Sequence, residues 1–217
     1  TPVNIKNVQQ EEWTLQQTRA EVPVDGHCDP PNSSPVGRTL SSLTCPLLCL
    51  LSAEYNDSIQ EQNELCMLGE YTVQDDEPIK KACQFRRSTL RQCSGLPDTS
   101  FGYAEGKPCI IVKMNRVIGL KPRGDPFISC TAKRDGLLEM QYFPPEGRVD
   151  KMFFPYYGKK AHPDYVQPLV AVQLLLSKED LNVEQTVECK VEGSDLRNND
   201  DRDKFLGRVI FRVKVSE

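Results

Sequence analysis

Six cysteines between positions 66 and 189 constrain this chain more than any other feature, because cross-links decide which segments must end up as neighbours. They stand at Cys66, Cys83, Cys93, Cys109, Cys130 and Cys189, and three more, Cys28, Cys45 and Cys49, precede them. No pair has the C-x-x-C spacing of a zinc site or a redox motif; Cys45 and Cys49 are C-x-x-x-C. His27 and His162 are the only histidines, which leaves too few ligands for a structural zinc site. A disulfide framework in an oxidising compartment is the reading that remains. Composition alone does not choose among the pairings. Two sequons, "NSS" at Asn32 and "NDS" at Asn56, suit the same compartment. Pro35 follows the first closely.

Several function classes fall away. A net charge of −4 lacks the basic field of a nucleic-acid binder. No apolar run approaches the roughly 18–20 residues that cross a bilayer. The nearest, "LTCPLLCLLSA" from Leu43, is short and carries a proline. The opening "TPVNIKNVQQEEW" is polar and does not read as a signal peptide, so a removed or missing targeting segment is expected ahead of it.

Two regions differ in character. Residues 1–54, with "CDPPNSSPVGRTLSSLTCPLLCLLS", hold turn formers and no sustained period, and read as an atypical, poorly ordered segment. Residues 55–217 read as one domain. Pro78 near the start of "DEPIKKACQFRRSTLRQCSG" and Gly95 at its end predict a short helix from Ile79 to Gln92. Beyond it strands dominate. Val209, Phe211 and Val213 alternate with Arg208 and Arg212, and Val187, Cys189 and Val191 alternate with Thr186, Glu188 and Lys190. "CIIVKMNRVIGL" and "PLVAVQLLL" are apolar on both faces and belong in the middle of a stack. No helix-length pattern separates these strands, so the fold class is all-β, an antiparallel sandwich with a short helix and long loops. Cys189 on an inward face would tie its strand into the core, with Cys130 in "FISCTAK" as a strand-like candidate partner.

No motif carries catalysis or a cofactor. His162 in "AHPDY" has Asp164 nearby but no accompanying nucleophile motif. The acidic clusters "DDRD" (200–203) and "QDDE" (74–77) lack the glycine and terminal Glu of a calcium loop and read as solvated charge. "EGKPC" lacks the rest of a phosphate-binding loop. One motif points elsewhere: Arg123-Gly124-Asp125, between Pro122 and Pro126, spells a cell-adhesion tripeptide in what reads as an exposed turn. The bland reading is a turn that spells it by chance. Finally, "KMFFPYYGKKAHPDYVQPLVAVQ" (151–173) crowds Phe153, Phe154, Tyr156 and Tyr157 around Pro155, although aromatics are only 7% of the chain.

Four blocks together resemble one family. "CQFRRSTLRQCSGLPDTSFGYAEGKPCIIVKMNRVIGLKP", "MFFPYYGKKAHPDYVQPLVAVQ", "VECKVEG" and "DDRDKFLGRVIFRVKV" are similar to the extracellular part of the β subunit of the Na,K-ATPase and H,K-ATPase. The resemblance covers about residues 55–217, and "YNDSIQEQNELC" and "DDRDKFLGRV" are nearest the second and third β isoforms of the sodium pump. Residues 14–54 do not share it. It implies the pairings Cys66–Cys83, Cys93–Cys109 and Cys130–Cys189, an immunoglobulin-like sandwich, and a single membrane helix that this chain does not contain. It implies a non-catalytic subunit at the extracellular face of the plasma membrane, with no cofactor or metal. Its partner would be the catalytic α subunit of a P-type ATPase, which it helps to fold, reach the membrane and bind potassium. An H,K-ATPase β subunit and an adhesion glycoprotein are the alternatives. The same resemblance puts Phe153, Phe154, Tyr156, Tyr157, Gly158 and Lys159 toward the α subunit, with Phe153 inward and Tyr156 and Tyr157 at the contact.

Overall fold

The computed structural model describes residues 15–17 (as backbone), 51, 54–74, 76–103, 105–133, 138–180, 183–203 and 205–213. Cys28, Cys45, Cys49, Asn32 and His27 lie outside them.

Among the described residues seven strands form two antiparallel sheets. They are β1 (Leu15–Gln17), β2 (Cys109–Met114), β3 (Gly124–Ala132), β4 (Glu139–Phe143), β5 (Leu169–Leu175), β6 (Gln185–Ser194) and β7 (Arg208–Val213). One sheet runs β1-β2-β5-β4 and the other β3-β6-β7. The alternation in β6 is realised residue by residue: Val187, Cys189 and Val191 are buried, while Thr186, Glu188 and Lys190 between them are half-buried. In β7, Val209 and Phe211 face in and Ile210 and Arg212 face out. The strands apolar on both faces, β2 and β5, are the two central strands of their sheet, paired from Cys109↔Gln173 to Lys113↔Leu169. Ile110, Val112, Val170, Val172 and Leu174 join Ile128, Val187, Val191 and Phe211 of the other sheet in one core cluster. Burial from both sheets into a shared interior is what makes this a sandwich.

β1 lies inside the segment read as loop. Its three residues pair antiparallel with Val112–Met114, so the edge of the first sheet is drawn from that segment.

The expected helix from Ile79 to Gln92 does not form. The chain stays extended until Arg86 and then makes a 3₁₀ helix, Arg87–Ser94, broken at Arg91. Other partners take the backbone groups that a helix would use. The Lys80 amide donates to the Ala161 carbonyl at 2.6 Å and the Gln84 amide to the Glu64 carbonyl at 2.8 Å. The Gln74 side chain takes both the amide and the carbonyl of Lys81, each at 2.9 Å. A helical repeat cannot survive with its amides committed to residues so far away in sequence. The 3₁₀ helix packs instead on the outside of β5 and β4, burying Leu90 and Cys93.

Among the described residues there are three disulfides: Cys66–Cys83, Cys93–Cys109 and Cys130–Cys189. The last joins residues directly opposite each other on β3 and β6, so it lies within one sheet. The second ties the 3₁₀ helix to the first residue of β2. The first fastens the segment around Glu64 to the extended segment at Cys83, where the two form a parallel bridge.

Candidate functional site

The aromatic segment closes one part of the sandwich as a ledge. Asp150 begins it: its Oδ1 accepts from the Met152 amide at 2.9 Å, capping the single 3₁₀ turn Lys151–Phe153, and from the distant Gly69 amide at 3.0 Å. Phe153 and Phe154 then turn inward and are buried. The Phe153 ring lies 5.8 Å from Phe85, which lies 5.3 Å from Tyr55, so a line of rings runs from the ledge into the core. The Phe154 carbonyl accepts from Thr72, and the Tyr156 carbonyl from Gly119, at 2.9 and 2.8 Å. Those bonds tie the segment after the 3₁₀ turn to two distant stretches of backbone, and the Phe154–Pro155 peptide is cis.

Tyr156 does not face outward. Only 6% of it is exposed and its ring centroid is 4.6 Å from Tyr165, so in the isolated chain little of it is open to a partner. A parallel bridge to Ile118 holds its backbone, and its ring packs among Tyr165 and His162. Tyr157 is half-buried. Its hydroxyl accepts from the Gln74 amide at 2.7 Å, and the Lys80 ammonium sits 5.1 Å from its ring centroid. Gly158 follows at φ 92°, buried, and a Cβ there would stand 3.2 Å from Ile118 Cδ1. Both the left-handed backbone and the tight space favour glycine. Lys159 and Lys160 project into solvent beyond it.

Beneath the turn, His162 is buried among Tyr156, Tyr157 and Tyr165, with centroids 6.0, 5.9 and 5.0 Å away. Its Nε2 lies 3.1 Å from the Lys81 carbonyl, and its Nδ1 has no hydrogen-bond partner among the described residues. It is a structural histidine, enclosed by rings and held by a backbone carbonyl. Burial pulls its pKa below the ordinary 6.5, against the hydrogen bond to Lys81 and the charge of Asp164; the charge of Lys80 acts in the same direction as burial. The unfolded chain therefore binds more protons than the folded one as pH drops below that value. Stability due to the neutral ring is complete above the unfolded pKa and is lost as pH falls through the lowered folded pKa. Melting curves from about pH 7.5 down to about pH 5 are expected to show wild type losing more of its melting temperature than His162→Gln; parallel curves would show that His162 titrates alike in both states. Burial raises the Tyr55 and Tyr165 hydroxyls above the ordinary tyrosine range, so both stay protonated, and Tyr55 donates to the Gln167 carbonyl at 2.9 Å.

The other sequence-derived sites are placed as follows. Asn56 is exposed and caps the short helix α1 (Asp57–Gln60), its Oδ1 accepting from the Ser58 amide at 3.0 Å. Arg123, Gly124 and Asp125 are all exposed, as expected, but they lie at a strand start rather than in a free turn: Gly124 and Asp125 open β3, with a bulge before Phe127. Gly124 pairs with Ser194, and a Cβ on it would meet the Gly193 carbonyl at 2.3 Å, so close approach of two strands explains the glycine. The Arg123 amide and guanidinium both engage Asp195, and Asp125 pairs with Lys151 at 2.8 Å, which holds its carboxyl below the usual range. Each member of the tripeptide thus has a local structural partner. Sequence reading missed Gln74, Lys80 and Ile118 as builders of the ledge. Gln74 and Tyr157 are 83 positions apart, a separation at which no local pattern announces a contact. Among the described residues no grouping of His, Cys, Asp and Glu could hold a metal ion.

The family model for the sodium/potassium ATPase beta chain matches residues 38–211, which includes all three disulfides, the ledge and part of the segment that the four motif blocks left out. The chain belongs to that family. Human sodium/potassium-transporting ATPase subunit beta-2 is 44% identical over 175 residues, covering 75% of this chain and 60% of its own length. The mouse beta-2 subunit matches to the same extent. Protein ATP1B4 of cattle is 43% identical over 169 residues, covering 74% of this chain and 47% of its own length. The chain therefore spans less than two thirds of each of these β-chain relatives. No helix among the described residues is long and apolar enough to cross a membrane.

Proposed function

We propose that this β-chain family member is the extracellular part of a non-catalytic subunit of a sodium/potassium-exchanging P-type ATPase. It docks on the catalytic α subunit at the plasma membrane, supports its folding and delivery, and tunes its potassium affinity. The observation that carries the reading is the family match, which runs through the whole ledge. The ledge supplies the chemistry of a docking surface: a rigid turn presenting a half-buried tyrosine beside two exposed lysines. Tyrosine offers a large apolar face with a polar tip and little rotamer entropy to lose. Phe153, Phe154, Tyr156 and Gly158 are covered by the chain's own atoms and form the pedestal. The contact itself falls to Tyr157 and Lys159. The exposed Asn56, whose Oδ1 accepts from the Ser58 amide, is the proposed glycan acceptor.

The test is co-precipitation. The 217-residue chain, tagged and fused behind a membrane anchor, is expressed with a Na,K-ATPase α subunit. We expect α to be recovered with the tag, and Tyr157→Ala with Lys159→Glu to reduce recovery by about ten-fold. The same blots should show a glycosidase-sensitive mass shift that Asn56→Gln removes. Failure to recover α with a correctly disulfide-bonded chain would overturn the subunit reading, and full recovery with the double variant would overturn the contact.

A further inference from the structure

The ledge is basic at its tip, whereas the stretch around Leu65 is rich in carboxylates, of which Glu64 is paired with Lys81 and Glu54 with Arg116. From Glu54 to Ile79 the sequence holds eight carboxylates and no lysine or arginine. Within that stretch Leu65, Met67 and Leu68 are 76%, 70% and 75% exposed, among the most exposed large hydrophobics of the described residues. Exposed apolar side chains scattered singly are ordinary; a consecutive group of this kind marks an interaction surface.

The backbone beneath them is firmly held. Cys66 is bonded to Cys83. The Glu64 amide donates to Ala82 and its carbonyl accepts from Gln84, at 2.9 and 2.8 Å. Gly69, at φ 79°, donates to Asp150 Oδ1 at 3.0 Å. A disulfide and three hydrogen bonds thus present the three side chains on a fixed knuckle, which limits the entropy lost when a partner covers them. Exposed Glu61 and Glu70 flank the knuckle, and neither forms an ion pair among the described residues.

We infer that the Leu65–Leu68 knuckle docks a cationic, amphipathic segment of a partner polypeptide, its apolar face on Leu65, Met67 and Leu68 and its basic residues on the flanking carboxylates. Opposite charge selects this occupant: an acidic segment would be repelled, as would an anionic lipid surface. The proposed α contact, with exposed Lys159 and Lys160, favours a partner of opposite charge to this one.

The full, disulfide-bonded chain is titrated with a fluorescent synthetic helix of about 18 residues, roughly five turns, composed of lysine and leucine with the leucines on one face. A same-composition peptide with the leucines dispersed is the control. We expect the amphipathic peptide to bind about ten-fold more tightly than the control, and to weaken by about ten-fold with Leu65→Ser, Met67→Ser and Leu68→Ser together. Glu61→Lys with Glu70→Lys should weaken it similarly and flatten its salt dependence. All five side chains are exposed, so the variants should keep the wild-type melting temperature. Equal binding of both peptides, or binding that neither variant changes, would overturn the inference. A wild-type dimer in sedimentation that the triple variant dissolves would also overturn it, by assigning the knuckle to a second copy of the chain.

Discussion

Tyr156→Ala is expected to lower the folding stability of this domain by about 3–5 kcal/mol, the usual loss for truncating a buried aromatic ring. The residue is buried, its ring tilted against Tyr165 at 4.6 Å and stacked at 6.0 Å on His162, so the deletion leaves a cavity in a segment that backbone bonds from Gly119 and Thr72 hold in place. Tyr157→Ala removes a half-buried ring and one hydrogen bond to the Gln74 amide, and about 1–2 kcal/mol is the expected loss. The two neighbours should therefore separate: denaturant titration ranks Tyr156 far above Tyr157, while recovery of the α subunit, measured on protein still folded, ranks them in reverse. Equal stability losses would mean that Tyr157 belongs to the pedestal, and that Lys159 alone is left to carry the contact.

Replacing Cys130 and Cys189 together by alanine is the second large effect. The bond closes a sequence separation of 59, against 17 and 16 for the other two. In the chain-entropy account that loop contributes about 4 kcal/mol and the shorter ones about 3 kcal/mol each. The residues sit opposite each other on β3 and β6, which five further register pairs hold together from Phe127↔Glu192 to Ala132↔Val187. The native sheet should thus keep its form when the bond is absent, and the loss should show as an earlier denaturation midpoint with an altered slope, because the unfolded chain expands. A midpoint that moves less than for Cys93→Ala with Cys109→Ala would refute the loop-length ordering and point to native-state packing around Cys93 as the larger contribution.

Legibility in the sequence followed the range of the interaction. The faces of β6 and β7 could be read because each strand has one buried side and one wet side, and a period of two records that directly. β2 and β5 could be recognised as central because both their faces are apolar. The helix expected at Ile79–Gln92 failed for the complementary reason. Its residues have adequate local propensity, but Ala161, Glu64 and Gln74 claim its backbone from elsewhere in the chain, and propensity is a weak force against a disulfide and several long-range bonds. The ledge was legible as a cluster of rings held by proline and glycine; its inside and outside were not. Phe153 pointing inward agrees with the expectation, whereas Tyr156 and Tyr157, identical and adjacent, were expected to act alike.

By itself the sequence determined the all-β class, the pattern of core faces in β6 and β7, and, through its family-specific blocks, the order of the disulfides. These depend on local periodicity and on residue chemistry that travels with the chain. The tertiary structure alone decided that Cys130–Cys189 lies within one sheet, that Arg123-Gly124-Asp125 opens a strand with each residue engaged, and that Tyr156 is buried while Tyr157 reaches the surface. Each of those outcomes turns on a neighbour far away in sequence: Cys189 for Cys130, Gly193 and Asp195 for the tripeptide, Ile118 for Tyr156. No local pattern encodes which distant segment will arrive, because that choice is made by packing the whole core at once.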